Sequence, residues 1–267
     1  MKISEALKVL QSAPREGDAF EAALVCGFTP LHLETLLGAR LQQRLPGRRV
    51  TISKGLYGDV AGALESLRGA WPQAVALALE WQDVDPRLGF RGAGAWSPAA
   101  VVDIVSSAAR MLDRMGTAIE QLDPGVPVAC MLPTLPLPPV FHTPGWQTSE
   151  ARLALDRELN QFALRVVRRP GASIADAARL DQESPPGARL DLKSDLSTGL
   201  PYTLTHADRV AAAFTLLLVP PAPKKGIITD LDDTLWYGLA GEIGPENVSW
   251  DLASHHPVHG LYQKLLA

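Results

Sequence analysis

Two periods of apolar residues alternate along this chain. Ile3, Ala6, Leu7 and Leu10 recur at helical spacing, predicting a short helix over residues 3–12. Ala22 to Cys26 is a compact apolar run of the kind a buried parallel strand needs. Thr29-Pro30 then gives an N-cap and first-turn signal, and Leu33, Leu37 and Leu41 line a helix to about Leu45. Arg49–Ser53 reads as a second strand and Asp59–Leu67 as a helix. Ala74–Glu80 is a strongly apolar third strand that runs into a polar loop, Trp81 to Arg87. Ser97-Pro98 opens a long helix with Val101, Val105, Leu112 and Ile119 on its apolar side. Pro127–Leu132 is a fourth strand, and Ser149 caps a helix that carries Leu155, Leu159, Phe162 and Val166. Thr205-His206-Ala207-Asp208 resembles a capping box and starts a helix to about Leu218.

Strands that alternate with helices predict an α/β fold. Residues 1–219 are expected to form an open, mostly parallel sheet with helices on both faces, a flavodoxin-like three-layer arrangement. Ligands in such sheets sit at the carboxyl ends of the strands. Those ends are Cys26–Thr29, Gly55–Asp59 (with Gly58), Glu80–Arg87 and Leu132–Thr134. Val219-Pro220-Pro221-Ala222-Pro223 is stiff and extended, so residues 220–225 read as a linker before a second segment, 226–267.

Composition narrows the class without naming a function. At 267 residues, 46% hydrophobic and 20% charged, the chain suits a globular protein of one or two domains. A net charge of −4 implies no general attraction to nucleic acid or anionic membrane. No apolar run reaches membrane-span length and the first residues carry no signal-peptide core, so a cytoplasmic protein is expected. Cys26 and Cys130 give no disulfide framework.

The densest chemistry lies at Lys224 to Trp236, where a short apolar strand runs into Asp230-Leu231-Asp232-Asp233-Thr234. Side chains two apart on a strand share a face, so Asp230 and Asp232 are expected to look into one site. Three acids in four residues are costly to bury unless a cation or a reaction needs them. One carboxylate can attack a phosphoryl group, the next can handle the leaving-group proton, and Mg2+ can neutralise the charge. A solvated or calcium-like turn is the plainer reading of the same acids.

This run is similar to the first motif of the haloacid dehalogenase (HAD) superfamily. Cys26-Gly27-Phe28-Thr29-Pro30-Leu31-His32-Leu33, Trp81 to Arg87, Leu132-Pro133-Thr134-Leu135-Pro136 and Lys224 through Gly244 extend the likeness. Together they resemble the FkbH-like proteins, which join a domain similar to SGNH hydrolases to a HAD domain. The resemblance implies that Asp230 is the nucleophile and a Mg2+ ligand. Asp232 would be the general acid/base and a second ligand, Thr234 would hold the loop, and Gly238–Gly244 would be a flap. It also implies a phosphorylated small-molecule substrate, such as 1,3-bisphosphoglycerate, and an acyl carrier protein that receives the acyl group as a thioester. A HAD site further needs a later Ser or Thr, a Lys and an acidic pair. Since none follows before Ala267, a natural fragment or a truncated form with little phosphatase activity of its own is expected.

SGNH enzymes place a serine after the first strand and an Asp-x-x-His near the end. Here Cys-Gly-Phe-Thr holds the first position, and His206 is the nearest candidate for the second. Cys26 is either a buried apolar thiol or an acyl carrier. Thr29 is either a helix cap or a catalytic hydroxyl. Asp83 and Asp85 with Arg87 line a pocket or form a salt-bridged turn. His206 contacts substrate or sits in a helix's first turn. His255, His256 and His259 either hold a metal or are solvated. The alternative to an enzyme is a non-catalytic module that binds a carrier protein or substrate.

Overall fold

A computed structural model describes residues 1–14, 16–70, 72–92, 94, 97–250 and 257–267. The chain divides into two compact units, Met1–Pro220 and Pro221–Ala267.

The first unit is a three-layer α/β sandwich. Its strands are β1 (Ala19–Val25), β2 (Arg49–Lys54), β3 (Ala74–Ala78), β4 (Val128–Met131) and β5 (Ala172–Ile174). They form one five-stranded sheet in the order β2-β1-β3-β4-β5, and every pairing is parallel. The helices are α1 (Ile3–Gln11), α2 (Leu31–Arg44), α3 (Val60–Ser66), α4 (Trp81–Val84), α5 (Val101–Glu120), α6 (Glu150–Val167), α7 (Ala177–Glu183), α8 (Leu192–Thr198) and α9 (Leu204–Leu218).

Strand alternation explains the two cores. Val75, Leu77 and Leu79 project to one face with Val128 and Cys130, where α3, α5 and α6 pack. Ala74, Ala76 and Ala78 project to the other with Ala129 and Met131, where α2 and α9 pack. β3 is central and fully buried, which accounts for its unbroken apolar run. The all-alanine face is small enough for α2 and α9 to lie close to the backbone. Arg40 on α2 ties these helices together through a forked pair of bonds to Asp208 on α9.

The α/β architecture matches the expectation, with local corrections. β1 begins at Ala19. The Trp81–Arg87 stretch is not a plain loop: α4 occupies Trp81–Val84, and a 3-10 turn follows at Pro86–Leu88. Thr203, not Thr205, caps α9, its hydroxyl accepting from the His206 N–H at 3.3 Å. With Thr203 as the cap, His206 and not Asp208 holds the third helical position, and the Asp208 carboxylate is engaged by Arg40. Ser97-Pro98 leads into a 3-10 turn at Pro98–Ala100 before α5 begins. β5, α7 and α8 have too few residues to show a period and were not expected.

The second unit contains α10 (Ala240–Ile243) and α11 (Pro257–Leu266). The strand expected over Gly226–Leu231 does not form. The segment joins no ladder, and Ile228 is fully exposed. A parallel strand needs a crossover-linked partner, and the described residues of this unit offer only isolated bridges, Asp232 with Trp236 and Tyr237 with Ser249. Among the described residues, no helix is long and apolar enough to cross a membrane.

Candidate functional site

The loops that leave β1, β2 and β3 meet at the carboxyl end of the sheet. Gly27 follows β1, and a side chain there would place its Cβ 2.0 Å from Asp83 Oδ1. The Gly27 N–H and the Glu80 N–H both donate to Asp83, the latter at 2.9 Å, so Asp83 fastens the β1 loop to the start of α4. Gly27→Ala must push Asp83 away. A loss of about 1–3 kcal/mol in unfolding free energy is expected, read by urea denaturation. An unchanged midpoint would contradict this close contact.

Cys26 lies beside that loop and is buried, its Sγ donating to the Phe28 carbonyl at 3.5 Å. Burial and then the Asp83 charge push the thiol far up, so the thiolate an acyl acceptor needs is disfavoured. Thr29 does not cap α2. Its hydroxyl donates to the Thr198 carbonyl at 2.9 Å, and its N–H donates to the Gly199 carbonyl. Gly58 takes a left-handed φ of +76° and donates to the Gly27 carbonyl.

Asp85 and Arg87 form an ion pair at 2.8 Å, and Arg87 also reaches Asp103 at 2.7 Å. They brace the turn after α4. His206 is wholly buried on α9, with Nε2 2.9 Å from Thr134 Oγ1 and Nδ1 2.9 Å from Ser184 Oγ. Burial, aided by Arg189, lowers its pKa to about 3. The ring is enclosed by protein in the folded conformation.

Glu80 is the hub that sequence reading passed over. Its carboxylate accepts from the Thr134 hydroxyl (2.6 Å), the Thr134 and Leu135 N–H groups, and the Tyr202 hydroxyl (2.6 Å). The signal was a lone acid closing an otherwise apolar strand, Ala74 to Leu79. The network pins the proline-rich loop after β4 to the end of β3. Asp195 on α8 was missed as well. It is 3% exposed, and its Oδ1 has no hydrogen-bond partner. An unmet buried acceptor of this kind costs about 1–3 kcal/mol.

In the second unit the acidic motif forms a tight turn. The Leu235 N–H donates to the Leu231 carbonyl at 2.8 Å. Asp233 takes φ +51°, a left-handed conformation that Asp tolerates better than most residues, and its Oδ1 accepts from the Gly238 N–H. Asp232 Oδ1 accepts from Trp236 Nε1 (2.9 Å) and the Ala240 N–H (3.2 Å). Asp230 is exposed, with Oδ1 on the Leu231 N–H at 2.8 Å. Thr234 contributes through its backbone, its carbonyl lying 3.0 Å from His259 Nδ1. α10 fills the expected flap, between left-handed Gly238 and Gly244.

Among the described residues, no group of three His, Cys, Asp or Glu converges on a metal-sized site. His255 and His256 lie outside the described residues. Mg2+ takes oxygen ligands and commonly draws only one or two carboxylates from protein, with water and phosphate completing the shell. Asp230 and Asp232 are carboxylates of that type, but the strand expected to aim both into one site does not form.

No protein-family model matches the chain, and no curated protein matches it. Solved structures do. The N-terminal part of the protein BF1531 from Bacteroides fragilis, containing a phosphatase domain and complexed with Mg, is 11% identical. That match covers 99% of this chain and 69% of the other, with a TM-score of 0.66. The two share a fold. A phospholipase A1 from Streptomyces albidoflavus is 13% identical over 75% of this chain and 98% of its own, with a TM-score of 0.48. An extracellular lipase from Streptomyces rimosus is 11% identical over 74% and 100%, with a TM-score of 0.45.

Proposed function

We propose that this chain carries the phosphoryl-transfer motif of an FkbH-like HAD protein behind an SGNH-like domain that binds but does not hydrolyse. The observation that carries this reading is the Asp230–Thr234 turn. It leaves Asp230 exposed while Trp236 and Ala240 orient Asp232. The fold shared with a structure that contains a phosphatase domain supports it.

In this reading Asp230 attacks the phosphorus of an acyl or alkyl phosphate. The bond from phosphorus to the leaving oxygen breaks, and Asp232 supplies the proton that oxygen takes. Asp230 and Asp232 would hold Mg2+, which when bound would supply positive charge to offset that of a phosphoryl group. The substrate is a phosphorylated three-carbon acid. Water then releases phosphate from the aspartyl phosphate and restores Asp230. Where the phosphorylated three-carbon acid also carries an acyl phosphate, the thiol of an acyl carrier protein attacks that carbonyl carbon, inorganic phosphate leaves, and the acyl group passes to the thiol. Cys26 is a poor acceptor for it because its thiol is buried and hard to ionise.

Among the described residues, Thr29 and His206 bond to other groups and not to each other. The hydroxyl is spent on a carbonyl, and His206 is spent on Thr134 and Ser184. This favours a binding role for that unit.

The test is to express the protein from its complete reading frame and mix it with acetyl phosphate and Mg2+, reading the intact mass. A phosphoryl adduct on the tryptic peptide that holds Asp230, lost when EDTA removes the metal, is expected. Absence of both the adduct and phosphate release overturns the assignment.

A further inference from the structure

We propose that the carboxyl end of the sheet in the first unit binds a small zwitterion of the α-amino acid type. Its ammonium group would sit on Asp195 and its carboxylate on Arg91 and Tyr57. The proposal rests on the first unit alone and does not depend on phosphoryl transfer in the second.

Asp195 provides the first observation. Its unpartnered Oδ1 belongs to a carboxylate that is almost entirely buried. That carboxylate faces a cavity of about 20 Å3, whose wall includes Gln82, Phe90, Leu135 and Pro201. Glu80 also lines it, but four donor groups already occupy its oxygens. A space of this size admits one water-sized group, such as an ammonium or a hydroxyl. The rest of a ligand must therefore remain at the mouth.

A polar cluster near Asp195 provides the second observation. Gly199 ends α8 four positions after Asp195, and its N–H donates to the Asp195 carbonyl. A Cβ on Gly199 would lie 2.8 Å from the Tyr57 hydroxyl, 3.1 Å from Arg91 Nη1 and 3.2 Å from Thr29 Oγ1. Three polar side chains thus converge over a position kept bare by its left-handed φ of +71°. Arg91 follows Phe90 of the cavity wall, is exposed, and donates to the Tyr57 hydroxyl. Its remaining N–H groups and the Tyr57 O–H are available to a carboxylate. Arg91 is also close enough to act on the Asp195 charge, though burial of Asp195 outweighs it.

Charge selects the ligand class. The site offers one buried anion and one exposed cation, so a ligand with both charges satisfies each without leaving a net charge in the cavity. A cation is the strongest partner for a carboxylate that its own protein leaves unpaired. A hydroxy acid would fill the space but leave the buried anion uncompensated.

Isothermal titration calorimetry of the full chain tests this with glycine as probe and glycolate as the hydroxyl control. Saturable glycine binding is expected, with glycolate at least about tenfold weaker. Asp195→Asn and Arg91→Ala should each weaken glycine binding by at least about tenfold. The proposal is overturned by no saturable heat up to about 50 mM glycine, by glycolate binding as well as glycine, or by unchanged affinity in Asp195→Asn. Should Asp195→Asn fail to fold, Arg91→Ala decides alone, since that side chain is exposed, and unchanged affinity there is equally fatal.

Discussion

Asp230→Asn is expected to lower phosphate release from an acyl phosphate by at least about 10^3-fold, with little change in stability. Asp230 is exposed, and its hydrogen bond is local, to the next residue's N–H. Asparagine keeps that acceptor and nearly the same shape, so the turn should survive. What it removes is the negative charge that the proposed nucleophilic role needs. Asp232→Asn should cost less, about 10^2- to 10^4-fold, the usual range for one general acid. Its Oδ1 can still accept from Trp236 and Ala240, which separates lost proton transfer from a lost turn. Steady-state phosphate release with the complete protein and Mg2+ reads both. Full turnover by Asp230→Asn would remove this residue from the mechanism and leave the motif as a solvated turn.

Glu80→Ala is expected to destabilise the first unit by about 3–5 kcal/mol, because it leaves several buried donors without an acceptor. The variant strands two backbone N–H groups and the Tyr202 hydroxyl, and leaves the Thr134 hydroxyl with His206 alone. At roughly 2–4 °C per kcal/mol for a domain of this size, the melting temperature should fall by about 6–20 °C. A shift under about 2 °C would show that the network contributes little.

The same residue links stability to pH. Burial raises Glu80 and Asp83 to about 7, from ordinary values of 4.5 and 3.8. A carboxylate with a raised folded pKa stabilises the fold below its unfolded pKa, and that contribution fades as pH climbs through the folded value. His206 works the other way. Burial lowers it from 6.5 to about 3, so its contribution is present above 6.5 and lost as pH falls toward 3. Between about pH 4.5 and 6.5, two acids oppose one histidine, and the net slope is a loss of about 1.4 kcal/mol per pH unit as pH rises. Urea unfolding at several pH values should show this decline, and Glu80→Gln should flatten it. An unchanged slope in Glu80→Gln would assign the titration elsewhere.

The sequence alone settled the α/β architecture. β3 is apolar at every position because helices cover both faces, and that run is readable without coordinates. The α6 stripe of Leu155, Leu159, Phe162 and Val166 was likewise legible, and all four residues are buried. The acidic motif stood out because three acids so close together are rare without a use. Tertiary structure decided the rest. No local signal says that Glu80 meets Tyr202, which is 122 positions away. None says that Gly27 must be bare because Asp83 presses on it. Thr29, Cys26 and His206 looked chemical because of their types and places in the chain. Packing then gave the hydroxyl a carbonyl, the thiol a buried position, and the imidazole two neutral partners. Asp195 went unnoticed for the converse reason. A short helix hides which side chains face inward, and only the folded arrangement shows a buried carboxylate oxygen with nothing donating to it. Periodicity reports which face of an element is covered, whereas long-range contacts fix what each polar group meets there.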